Sequence, residues 1–325
     1  MGELFHGAKE DRINRRRFFA WSGRGIAALV LFGLMSLFTL RAQDDSGTTL
    51  KLDVKLVNVF VNVTDANGAI VGGLTKDDFA LFEDGRPQSI SHFERQSELP
   101  LNITLAIDTS GSVQKDMTEE VNAGRQFARA ILRQQDQMSL MQFATEVKLL
   151  TPFTNKPAQI ERGLGQLHGD FATALYDAVC QGAADLGRRD GRKVLVIVSD
   201  GEDTAESSTY AQALEAALRN EVMVYSLIDV PIESSAGRAT GGEHAMITLA
   251  EQTGGKHYYV ASGGLAKAFQ QVSEDLRTEY LLGYYPRNQE PGRGGGRITV
   301  RIPRAAPSAF DVRNRAGYYA HPAAD

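Results

Sequence analysis

The sequence predicts a doubly wound α/β domain with a mostly parallel sheet, flanked by a small β-sandwich built from the N- and C-terminal segments. Three observations predict it. From Leu99 to about Leu281, short apolar runs alternate with longer stretches of helical periodicity, the order that gives a parallel sheet covered by helices. Before it, residues 49–97 alternate with period two and carry the turn signals Asn67-Gly68 and Asp84-Gly85. After it, residues 281–320 return to short alternating segments. Each β segment is too small to fold alone, so the economical solution pairs them around an α/β domain at residues 98–280.

The first 42 residues read as a targeting segment. Arg12, Arg15, Arg16, Arg17 and Arg24 precede an apolar run from Gly25 to Leu40, and Ala42 offers a cleavage point before Gln43. This is the charged, apolar and small-residue order of a secretion signal, and Asn14 to Phe19 resembles a twin-arginine export signal. The apolar run of 16 residues is short for a membrane span. Leu40 occupies the −3 position, where a small residue belongs, so an uncleaved N-terminal anchor is the alternative. Either way the body lies outside the cytoplasm, in the periplasm, cell envelope or medium.

After a polar linker, Asp44 to Gly47, the pattern Leu50, Leu52, Val54, Leu56 slips phase into Val57, Val59, Val61, Val63. That slip predicts two strands or one bulged strand. In the α/β region, strands are expected at Ile103–Ile107, Met138–Phe143, Val147–Leu150, Val194–Ser199, Val222–Ile228 and His257–Val260, the second and third forming a hairpin. Helices are expected over 113–134, 157–167, 173–187, 207–220, 243–252 and 264–279. In the tail, strands are expected at Tyr280–Tyr285, Arg297–Ile302 and Phe310–Arg313. The pairs Tyr258-Tyr259, Tyr284-Tyr285 and Tyr318-Tyr319 fit strand ends with one ring in and one out.

Composition narrows the function classes. The chain has 325 residues, 42% hydrophobic and 23% charged, with a net charge of −5. The first 42 residues hold seven basic and three acidic side chains, so the remainder carries −9. An acidic body argues against nucleic acid as a partner. The single Cys180 excludes an internal disulfide framework and reads as buried filler. The six histidines show no metal-ligand spacing.

The stretch with chemistry is Asp108-Thr109-Ser110-Gly111-Ser112, between a strand and a helix. Three oxygen-bearing side chains at i, i+2 and i+4 on such a loop suit a hard cation, while an ordinary turn and helix cap explains the same residues locally. Two further loops offer oxygen donors at the same sheet edge: Thr173, after Gly169-Asp170, and Asp200, which ends the strand Val194–Ser199. Two carboxylates and three hydroxyls give an oxygen-only site with room for a further acidic ligand.

Asp108-x-Ser110-x-Ser112, Thr173 and Ser199-Asp200-Gly201 together resemble the metal-ion-dependent adhesion site of von Willebrand factor A domains, over residues 98–280. Val71 to Phe79, Phe82 to Gly85 and Tyr280 to Pro286 extend the resemblance to bacterial exported VWFA-related proteins. It implies a Rossmann-like fold and Mg²⁺, or Mn²⁺ or Ca²⁺, held by Asp108, Ser110, Ser112, Thr173 and Asp200. It also implies a protein partner whose Asp or Glu carboxylate completes the shell. Phe171-Ala172 stands where the family often has glycine, and Asp170 offers a substitute ligand. Glu202 and Asp203 are expected to be solvated.

The function expected is an exported, cation-dependent protein-binding module and not an enzyme, touching membrane only through the N-terminal segment. A structural component of the envelope whose metal only stabilises the fold is the alternative. A metal-assisted hydrolase is remote: Ser110 replaces the second carboxylate of a D-x-D phosphotransferase motif, and no G-x-S-x-G elbow, P-loop or G-x-G-x-x-G occurs.

Overall fold

A computed structural model describes residues 56–95, 98–111, 117–205, 207–229, 240–261, 263–286, 295–304 and 309–319. The expected targeting segment at residues 1–42, the linker, the alternating residues 49–55 and the expected ligand Ser112 lie outside them. Among the described residues no helix is long and apolar enough to cross a membrane.

β1 (Val57–Asp65) buries Val57, Val59, Val61 and Val63 on one face, as its period-two pattern requires. β2 (Ala80–Glu83) and β3 (Arg86–Gln88) form a hairpin. Its turn residues, Asp84 at φ 48° and Gly85 at φ 77°, are both left-handed, the twist that a two-residue hairpin demands. β4 (Ile90–Arg95) leads into β5 (Leu101–Asp108), whose eight residues are all buried. Then follow α1 (Met117–Ile131), β6 (Gln137–Phe143), β7 (Val147–Thr154), α2 (Pro157–Leu164), α3 (Leu175–Gly187), β8 (Arg192–Ser199), α4 (Tyr210–Arg219), β9 (Val222–Asp229), α5 (Thr240–Thr253), β10 (His257–Val260) and α6 (Leu265–Arg277). The tail adds β11 (Tyr280–Tyr284), β12 (Gly296–Arg301), β13 (Phe310–Asn314) and β14 (Gly317–Tyr318).

Six strands form the central sheet in the order β10-β9-β8-β5-β6-β7, parallel except for β7, which returns antiparallel beside β6. Alternation along β5 serves two layers. Ile103, Leu105 and Ile107 pack with α1, α2 and α6. Ala106, in the opposite phase, packs with Leu175, Ala178, Val179 and Ala183 of α3 and with α4 and α5. The order of strands reverses between β5 and β8. Connections from β5 run outward to β6 and β7, and those from β8 run the other way to β9 and β10. The carboxyl ends of β5 and β8 therefore flank a topological switch point, where open α/β sheets form a crevice.

Two further sheets mix strands from before and after this region. One has the order β13-β1-β11-β4, the other β14-β12-β2-β3. Val59 faces Leu282 and Val63 faces Val312 in the first, while Val300 faces Leu81 in the second. Side chains of both meet in one core containing Val59, Val61, Leu81, Leu282, Tyr284, Ile298 and Val300. The other face of β1 carries Asn58, Phe60 and Asn62, and it packs toward the amino ends of the central sheet. At this seam Asn62 Nδ2 donates to Glu279 (3.1 Å), and Glu279 also pairs with Arg192, both buried.

Tyr258 is buried while Tyr259 is exposed, and Tyr284 is buried while Tyr285 is exposed, so these pairs place one ring in and one out. Tyr318-Tyr319 differs. Both rings are half-buried, one under Arg315 with its hydroxyl on Glu83 and the other under Arg219. Cys180 is half-buried on α3, where burial raises its thiol pKa; a protonated thiol is a poor nucleophile.

Candidate metal centre

Asp108 is the last residue of β5 and has no exposed surface. Its Oδ1 accepts from the Ser110 amide (2.9 Å) and its Oδ2 from the Ser199 hydroxyl (2.6 Å). The first bond folds the chain back as an aspartate turn. The second crosses from β8, because Ile107 pairs with Val198 and the next residues along are Asp108 and Ser199. Ser199 also accepts the Gly201 amide at 3.0 Å, which fixes the chain around Asp200. Ser110 is buried, with its hydroxyl hydrogen-bonded to Asp108.

Burial pushes the Asp108 carboxyl up to about 6, against the lowering effect of hydrogen bonds from Ser199 and Ser110. The negative charge of Asp200 adds to the rise. None of these influences is a cationic side chain. Among the described residues the charged group that acts on it is a second carboxylate, and a buried carboxylate requires a counter-charge. The donors nearby are carboxylate and hydroxyl oxygens, which suit a hard cation. Among the described residues no group of three or more His, Cys, Asp and Glu side chains converges as a metal site, so a cation on them has to draw on hydroxyls. The residues present fit such a cation.

Three loops are tied together at this edge. The Thr109 amide donates to Phe143 O (2.9 Å), and Thr109 O accepts the Asp170 amide (3.0 Å). Thr173 is buried; its amide donates to the Thr204 hydroxyl (2.8 Å) and its carbonyl accepts the amides of Thr204 (2.9 Å) and Ala205 (3.1 Å). The loops carrying Asp108, Thr173 and Asp200 thus hold one another by backbone bonds. Asp200 Oδ1 accepts the Glu202 amide at 3.1 Å.

Two sequence expectations are corrected here. Thr173 does not open a helix: α3 starts at Leu175, because both backbone groups of Thr173 are taken by the neighbouring loop. Asp203 is not simply solvated: its Oδ1 accepts the Tyr176 amide (3.2 Å) in the first turn of α3, while Glu202 is exposed. A carboxylate on a helix amino end satisfies an orphan donor and the dipole. Ser199 enters the sequence motif without a role of its own; the structure gives it one, joining Asp108 to the turn at Gly201, and its place at the end of a strand is the signal for it. Asp170 Oδ1 is engaged by the Phe171 amide (2.8 Å), and Phe171 itself stands 96% exposed.

Gly201 sits at φ 91°, and a Cβ there would lie 2.7 Å from the backbone carbon of Gly242. Gly201→Ala therefore strains a left-handed position against backbone that cannot yield. The expected cost is about 1–3 kcal/mol in urea unfolding, and a melt identical to wild type contradicts this packing.

Residues 103–202 match the family model described as von Willebrand factor type A domain. BatB, a conserved hypothetical protein from Bacteroides thetaiotaomicron, aligns over 55% of this chain and 100% of its own at 14% identity, with a TM-score of 0.45. A von Willebrand factor type A protein from Catenulispora acidiphila aligns over 74% of this chain and 73% of its own at 12% identity, with a TM-score of 0.48. The pilus adhesin SpaC from Lactobacillus rhamnosus GG, in an open conformation, aligns over 74% of this chain and 47% of its own at 10% identity, with a TM-score of 0.46. No curated protein matches the chain.

Proposed function

Starting from a chain that carries a von Willebrand factor type A domain, we infer that it is an exported protein-binding module whose adhesion or assembly role depends on a divalent cation. Asp108, Ser110, Ser112, Thr173 and Asp200 supply oxygen ligands to Mg²⁺, with Mn²⁺ or Ca²⁺ as substitutes. The open position takes an Asp or Glu carboxylate from a partner protein. The observation that carries this reading is the buried Asp108, set beside the carboxylate of Asp200 and the hydroxyls of Ser110 and Ser199, at the switch point where the loops of Thr173 and Asp200 are also fixed. The partner's carboxylate fills the sixth position that five protein oxygens leave open on an octahedral cation, so cation and partner bind cooperatively.

Binding is supported over catalysis because hydrolysis at a metal needs a positioned general base, and the motif loops offer hydroxyls in that place. Residues 1–42 support export, through a cleaved signal or an uncleaved anchor. Phe171, exposed on a loop pinned at Asp170 and Thr173, is the apolar side chain that a partner meets beside the cation.

The test is capture from envelope extract by wild type, Asp108→Ala and Phe171→Ser, each with Mg²⁺ and with EDTA. Wild type with Mg²⁺ is expected to retain a partner that EDTA and Asp108→Ala release. Phe171→Ser is expected to weaken capture about tenfold or more, as loss of an aromatic anchor does, without altering Mg²⁺ binding. Identical partners under all conditions sink the reading. A fall in melting temperature on chelation with no partner released favours the alternative of a structural metal.

A further inference from the structure

Thr204 belongs to no motif in the sequence, yet one ligand loop of the metal centre holds another through it. Its hydroxyl accepts the Thr173 amide (2.8 Å), and its own amide donates back to the Thr173 carbonyl (2.9 Å). Ala205 adds a second amide on that carbonyl (3.1 Å), and Asp203 Oδ1 accepts the Tyr176 amide (3.2 Å). Residues 203–205 therefore fasten the chain from Thr173 into the first turn of α3. The same segment carries Asp200, and at its start Ser199 donates to Asp108 Oδ2 (2.6 Å). Its bend is braced as well: the Gly201 amide donates to the Ser199 hydroxyl, and the backbone of Gly242 packs against Gly201. Ser199 to Ala205 is thus one braced segment that touches the loops of both Asp108 and Thr173.

Thr173 is buried at 3% exposure, whereas Thr204 is exposed. An exposed threonine contributes little to the core, so its reciprocal bonds act on the residue they hold. Both backbone groups of Thr173 are engaged by Thr204 and Ala205, and among the described residues its hydroxyl is the polar group left for a cation. A ligand fixed in advance need not be ordered when the ion arrives, which is why groups that orient ligands weigh heavily on metal affinity. We propose that Thr204 is a positioning residue of the metal centre, its hydroxyl and amide clasping Thr173 so that the Thr173 hydroxyl keeps a fixed relation to Asp200 and Asp108. The proposal rests on the cation reading given above and adds to it a residue that is not a ligand. Thr204 acts through Thr173.

Isothermal titration of Mg²⁺ into the full chain compares wild type with Thr204→Ala, Thr204→Val and Thr204→Ser. The two variants without a hydroxyl are expected to bind Mg²⁺ about tenfold more weakly, and Thr204→Ser to stay within about twofold of wild type. Thr204→Val keeps the side-chain volume, which protects the test if the smaller residue disturbs the loop. A threonine that only supports the fold lowers the melting temperature in EDTA and leaves the Mg²⁺ Kd of the folded protein unchanged. A double-mutant cycle with Thr173→Ala reads the route of the effect. In that background Thr204→Ala is expected to cost less than about twofold more, because the hydroxyl it positions is gone. Losses that multiply in the double variant overturn the proposal. So does wild-type affinity in both hydroxyl-free variants, or a loss in Thr204→Ser equal to that in Thr204→Ala. Those outcomes leave the cation reading standing, since wild type still binds. No saturable Mg²⁺ binding in wild type removes that reading and the clasp together.

Discussion

Glu279→Ala will lower the unfolding free energy by about 3–5 kcal/mol, the usual consequence of removing one partner of a buried ion pair. Glu279 lies just before β11 and is 1% exposed; it pairs with Arg192, 6% exposed, and accepts from Asn62 of β1 at 3.1 Å. Among the described residues, the truncation leaves the guanidinium the Leu276 carbonyl and the face of Phe60, whose centroid lies 5.6 Å away. Equilibrium urea unfolding followed by circular dichroism measures the loss. The double replacement Arg192→Met with Glu279→Met should restore most of it, because removing both charges also removes their desolvation cost. A single variant within about 1 kcal/mol of wild type contradicts the seam as described, since such a change is what an exposed pair gives.

Asp108→Asn is expected to separate the two roles of that carboxyl. In EDTA the variant should be at least as stable as wild type, because a buried, uncompensated charge is removed while hydrogen bonding survives. The amide oxygen still accepts from the Ser110 amide, and the Ser199 hydroxyl can turn to accept instead of donate. In Mg²⁺ the order should reverse. Wild type at 100- to 1,000-fold excess over Kd gains roughly 2.7–4.1 kcal/mol by mass action, and the variant gains almost none. Paired thermal melts in EDTA and in Mg²⁺ read both effects. A variant that loses stability in EDTA, or gains as much as wild type from Mg²⁺, contradicts the assignment.

The layered domain was legible because its strands are written as apolar runs and its helices as 3.6-residue stripes. β10 has the same bounds, His257–Val260, as expected, and β5 is only extended at its ends, to Leu101 and Asp108. The positions of Asp108 and Asp200 were legible because each closes an apolar run, and the parallel pairing of β5 and β8 brings those two strand ends side by side. What could not be read was decided by contacts between distant segments. Thr173 lost its helical place to Thr204, thirty-one residues on. Asp203 became a partner for the amino end of α3. The Arg192–Glu279 pair joins residues 87 apart, and no local pattern marks it. Asn58 and Phe60, in the opposite phase of β1 from its valines, face the seam and line a cavity in it, which the alternation alone does not reveal.

The central claim is that the loops of Asp108, Thr173 and Asp200 form one divalent-cation site. Isothermal titration of Mg²⁺ into the full chain, wild type beside Asp108→Asn, tests it most directly. The account predicts a single saturable site in wild type that is lost in the variant while its circular dichroism spectrum is unchanged. Absence of saturable binding in wild type, or the same isotherm in both proteins, contradicts it.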